Sequence, residues 1–399
     1  WDLILEMLMA GSVISKYWGV YLNDFMRLMG WNANTNLTFG SFHIDIAPII
    51  IVAFFTTLLV FGTKIGARVD GAMTVLKIAI VFFVVIVGFF YVKASNFTPF
   101  IPPSQPASTV EGSSAVTGVM TQPLWQFATG MTPSVYGVPG ILSGAALVFF
   151  AFIGFDVVAT ASEETKNPHK NVPLGIGVGM LLIIVMYMLV AVVTTGMVSY
   201  ADLAKQDSPS LATAFELVGA DWAAKIISFG IVLGLATVVM VLLLGLTRIV
   251  FAMSRDGLLP RGLSKTGKHG TPAALQIVVG AVVALVAAFF DIGVLSDMVN
   301  IGTLSAFTLV AISIPIMRKK RPDLPRAFKM PGSPWIPILI AVANFWLMLN
   351  LSVLTWIRFV VWLVVGFAIY FGYGYWHARL GKGDLTETLS AETDKAVNG

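Results

Sequence analysis

Apolar residues run through this chain in long stretches separated by short polar ones. Ten stretches stand out, at roughly residues 3–28, 44–62, 70–92, 140–161, 173–198, 223–252, 273–290, 296–317, 335–353 and 355–377. Each is long enough for a helix to cross about 30 Å of hydrocarbon. Two are long enough to tilt or to extend past the bilayer. The pattern predicts an all-α, polytopic membrane protein with about ten spans.

Composition agrees. Hydrophobic residues make up 57% of the chain and charged residues 12%, about half the charge of a soluble domain. There is no cysteine, which excludes disulfides and thiolate metal sites. The histidines His43, His169, His269 and His377 fall in or beside loops, and no two have metal-ligand spacing. No phosphate loop, metalloprotease helix or nucleophile elbow is present. The sequence therefore predicts no cofactor and no enzyme activity.

Charge sets an orientation. The connections after spans 2, 4, 6 and 8 and the stretch after span 10 hold most of the lysines and arginines, and the alternate connections hold few. The positive-inside rule makes the first set cytoplasmic, with both ends of the chain on that side. The 93–139 connection is then outside. Its Ser/Pro/Gly-rich centre is expected to be flexible, and "PLWQFATGMTPSVYGVPG" to pack over the outer mouth. The tail 379–399 is expected to be disordered. The sequence opens at Trp1 directly in a helical apolar pattern, and no signal peptide is expected. An even number of upstream spans is expected to be missing.

Candidate chemistry lies where polarity interrupts the apolar pattern. In "FFAFIGFDVVATASEETKNP", residues 149–168, Gly154 loosens a helix and Asp156 follows it. Broken helices at membrane depth occur where freed backbone lines a cavity, and their carbonyls can hold an ammonium group or a cation. A single glycine more commonly just lets helices pack closely. Asp156 shifts the balance, because an ionisable residue at that depth marks function by default. It lies roughly 10 Å in from the cytoplasmic end of its span, by helix rise. Lys77, in "GAMTVLKIAIVFF", lies at a similar depth, and Glu6, in "WDLILEML", also sits on the inner side. Three ionisable residues of mixed sign thus share one layer. Lys77 would balance desolvation against neighbouring carboxylates, which suits a proton-binding group; a static salt bridge locking the helices is the alternative. Lys16, in the outer half, could snorkel outward, and Thr237 has the standing of a helix-packing hydroxyl.

"FFAFIGFDVVATASEETKNPHKNVP" resembles the sixth helix and following loop of the amino acid–polyamine–organocation superfamily. It is most similar to bacterial permeases related to cationic amino acid transporters. "WDLILE", "LTRIVFAMSRDGLLP", "NIGTLSAF" and "RPDLPRAFKMP" extend the resemblance over residues 1–380. It implies a leucine-transporter-type fold of inverted five-plus-five helix repeats with two further helices. Residues 1–92 would be family helices 3–5, residues 140–317 helices 6–10, and residues 318–378 helices 11 and 12. Family helices 1 and 2 would be absent. It also implies that carbonyls of Phe150, Ala151 and Ile153, around Gly154, receive a substrate ammonium, with Phe150 as an aromatic gate. Val241 and Leu242 would face the substrate side chain, while Lys77, Asp156 and Glu6 would couple transport to protons and shape the inner end of the pocket. These residues predict a secondary amino-acid transporter of the cell membrane, proton-coupled and working by alternating access. Its partners would be an amino acid, protons and lipid, with no nucleic acid, and it would act as a monomer. An uncoupled facilitator, exchanger or channel is the alternative; a membrane enzyme or sensor is a more distant one.

Overall fold

The computed structural model describes residues 1–31, 35–39, 42–61, 66–109, 118–155, 167–206, 209–265, 267, 271–323 and 332–378. The apolar runs fold as helices: α1 (Asp2–Leu28), α2 (Ile46–Phe61), α3 (Gly66–Phe89), α4 (Gly137–Val148), α5 (Pro168–Met197), α6 (Asp221–Arg255), α7 (Ala273–Phe289), α8 (Ile292–Lys320), α9 (Trp335–Leu349) and α10 (Val353–Ile369). Each of the ten apolar stretches carries one of these helices. Among the described residues, six helices are long and apolar enough to cross a membrane, and those within Ile46–Phe61, Gly137–Phe152, Ala273–Phe289 and Trp335–Leu349 are shorter.

Helix ends are marked chemically. Asp221 lies in the first turn of α6 and Arg255 in its last, each sign complementing the helix dipole. Arg318, Lys319 and Lys320 close α8. Ser352 precedes α10, and its hydroxyl accepts the Thr355 N–H at 3.3 Å, which satisfies one orphan donor.

The first helix is the hub of the packing. It lies along α6 most extensively and also meets α2, α7 and α8. One core joins Met7, Leu8 and Val13 of α1 to Val52 of α2, Leu242 and Leu246 of α6, Val283 of α7 and Val299 of α8. The packing partners of α3 include α5 and α6. In their most apolar windows α3 and α5 are only 11% and 6% buried. Apolar exposure of that extent suits hydrocarbon, since soluble monomers rarely carry large contiguous apolar patches.

Three features add to the expected spans and connections. The strand β1 (Asn36–Phe39) pairs antiparallel with β2 (Phe42–Asp45). The fourth span is not a continuous helix to residue 161, because its α-helical part ends at Val148. The aromatic part of the long connection docks on the turn between α9 and α10. There the Leu124 N–H donates to the Leu351 carbonyl at 3.0 Å, the Val353 N–H to Gln122 at 3.1 Å and the Leu354 N–H to Met120 at 2.8 Å. Trp125 stacks on Trp346 at 6.4 Å. The centre of that connection, residues 110–117, and the tail 379–399 lie outside the described residues.

Candidate functional site

The break in the fourth span is built from backbone upward. After Val148 the chain tightens into a 3₁₀ turn, Phe149–Phe152. Ile153 then turns extended, at φ −67° and ψ 141°, and Gly154 takes φ +115°. That conformation is costly for any residue with a Cβ. A Cβ at Gly154 would meet nothing within 4 Å, so the need for glycine is conformational rather than steric. An α-to-3₁₀ switch leaves backbone groups to be satisfied from outside the helix. Two side chains do so. Tyr187 of α5 donates its hydroxyl to the Ala151 carbonyl at 2.5 Å, and its ring meets Phe152 at 5.2 Å. Asn300 of α8 donates Nδ2 to the Leu147 carbonyl at 3.2 Å.

The surrounding side chains gather the expected residues unevenly. Phe150 and Ile153 pack against the core that holds Leu242 together with Met7 and Leu8 of α1. Val241 is only partly buried and lies outside that cluster. Glu6, between Leu5 and Met7, is fully buried. A charge in such a place is expensive unless it is paired and hydrogen-bonded. Lys77 of α3 is half-buried, with its stem against α6, so that a Cβ at Gly234 would come 3.2 Å from Lys77 Cγ. Thr237 is buried and spends its hydroxyl on the Gly234 carbonyl at 3.0 Å, the packing role expected of it. Asp156 lies outside the described residues.

Lys16 is held in place rather than free. Its ammonium donates to the Ala287 carbonyl of α7 at 3.0 Å and lies 3.9 Å from the Asp45 carboxylate. A cavity of about 600 Å³ is lined by Trp1, Met253, Leu309, Leu363 and Phe367 among others. Its walls are almost wholly apolar, and none of the expected site residues lines it. Tyr187 and Asn300 were not found from sequence. Each is one polar residue on its own helix, and its partner lies 36 or 153 positions away. The motif "NIGTLSAF" carried the only signal for Asn300.

A mostly helical bundle with apolar outer faces and a broken helix against its core is that of a polytopic membrane protein. The amino acid permease family model matches residues 7–374, and the chain belongs to that family. It is 40% identical over 390 residues to the branched-chain amino acid permease BcaP of Bacillus subtilis (strain 168), covering 96% of this chain and 77% of that protein. Similarity to the methylthioribose transporter of the same organism is 36% identity over 388 residues, 96% of this chain and 77% of the relative. The vacuolar cationic amino acid transporter 4 of Arabidopsis thaliana is 32% identical over 328 residues, 81% of this chain and 50% of the relative. The family and these relatives are transporters, not enzymes.

Proposed function

We propose that the chain carries α-amino acids across the cell membrane by alternating access, with the substrate bound at the break in α4. The observation that carries this reading is the 3₁₀ turn and positive-φ Gly154 that end a helix inside an apolar span. Interrupted helices of this kind supply dipole ends and free carbonyls to substrates. The carbonyls of Phe150, Ala151 and Ile153 take the ammonium group, and Phe150 covers the site. Ala151 exchanges the Tyr187 hydroxyl for the substrate. Leu242, with Val241 beside it, offers an aliphatic surface to the side chain. That surface, together with the substrate named for the Bacillus subtilis permease BcaP, favours branched-chain amino acids over cationic ones.

Coupling is to protons through Lys77, with Glu6 and Asp156 shaping the pocket's inner end. A charged Lys77 braces α3 against α6; a neutral one releases that brace. The basic connections face the cytoplasm, as do both ends of the chain, and the inverted five-plus-five repeat supplies the moving parts. The protein works as a monomer. Counterflow in proteoliposomes, using protein expressed from its own gene, tests this reading. Labelled leucine should accumulate transiently against unlabelled leucine inside, and valine and isoleucine should compete better than arginine or methylthioribose. Slow equilibration without overshoot would identify a channel, and preferential competition by methylthioribose would move the substrate class.

A further inference from the structure

Asn300 opens the motif "NIGTLSAF" and is fully buried on α8. Its Nδ2 reaches the Leu147 carbonyl, one residue before the α-helix ends at Val148. That is where the intrahelical ladder changes from i+4 to i+3 bonding, so a donor from a second helix stabilises the switch. Phe307 lies seven residues on, which puts it on the same face of α8. Its ring meets Phe149 at 6.0 Å, within the 3₁₀ turn, and Phe155 at 5.2 Å, just beyond Gly154. One face of α8 therefore grips the chain on both sides of the break.

The other half of the Asn300 amide is not used in this way. Its Oδ1 is buried and has no hydrogen-bond partner among the described residues. A half-satisfied amide is a poor choice for stability alone. Leucine would fill a similar volume without an orphan oxygen, and removing that oxygen offsets the loss of the donor. The amide thus does something that packing does not require.

We propose that Asn300 is a positioning residue for the transport site. By holding Leu147 it sets where α4 stops being α-helical, and so aims the carbonyls of Phe150, Ala151 and Ile153. This rests on the carrier reading above. In the Asn300→Leu variant the 3₁₀ turn loses its anchor and those carbonyls lose their aim.

The experiment measures counterflow KM and Vmax for leucine in proteoliposomes, with the melting temperature in detergent, for wild type, Asn300→Leu and Asn300→Gln. Asn300→Leu should raise KM roughly tenfold, the effect of one misplaced hydrogen bond, while melting stays within about 3 °C of wild type. Asn300→Gln, which keeps the amide on a longer arm, should recover part of the affinity. Wild-type KM in Asn300→Leu overturns the inference, and so does a fall in melting temperature and activity that Gln fails to rescue. If the leucine variant does not fold, the glutamine variant decides: raised KM at wild-type melting supports positioning, and unchanged KM refutes it. Absence of counterflow in the wild type would instead reject the carrier reading itself.

Discussion

Lys77 and Gly154 bear the proposal at the level of single residues. Lys77 packs its stem on Gly234 of α6 and carries a charge into an apolar helix. If it is the coupling group, Lys77→Ala removes the titrating charge, and Lys77→Arg replaces it with one that does not deprotonate. Both should abolish leucine uptake driven by an inward proton gradient, while counterflow, which needs no gradient, persists at reduced rate. Accumulation in proportion to the gradient in either variant would make Lys77 a structural partner only. Gly154 is tested through its backbone. Alanine there meets no neighbour but is strained at φ +115°, at a cost on the order of 1–3 kcal/mol. Gly154→Ala should therefore reduce counterflow at least tenfold without lowering the amount of folded protein in the membrane. Wild-type counterflow would show that the open geometry is not needed.

Among the elements, what the sequence made legible and what it hid divide along physical lines. The apolar stretches were legible because membrane burial demands long runs, and each carries a helix, the fourth of them α-helical only to Val148. The break was legible only through Gly154 and Asp156. The structure starts it five residues earlier, at Phe149, because a 3₁₀ turn needs no special residue and leaves no mark in the sequence. For Lys16 the sequence suggests no role beyond a reach toward the outer side, and its partners were not legible. It is tied to Ala287 and Asp45, partners on elements that only the fold brings near. The β1–β2 pair escaped notice because its strands are too short to show alternation. Tyr187 and Asn300 escaped because a cross-helix hydrogen bond to a carbonyl depends on the neighbour's conformation, not on its side chain.

For the whole molecule, the orientation and the location of the site can both be probed in a chain that has no native cysteine. Ser95→Cys, in the 93–139 connection, should react with an impermeant thiol reagent from outside intact cells. Lys265→Cys, after α6, should react only once the membrane is opened; labelling of both from one side would reverse the orientation of the helices. The site itself is tested most directly by Ala151→Cys, which places a thiol on the 3₁₀ turn, where Ala151 is exposed. The measurement is the rate of thiol modification against leucine concentration, in protein that still shows counterflow. Leucine should slow modification with a midpoint equal to its counterflow KM, and arginine should protect far less. An unchanged modification rate at leucine concentrations that saturate transport would contradict the central claim, and would put the amino acid somewhere other than the break in α4.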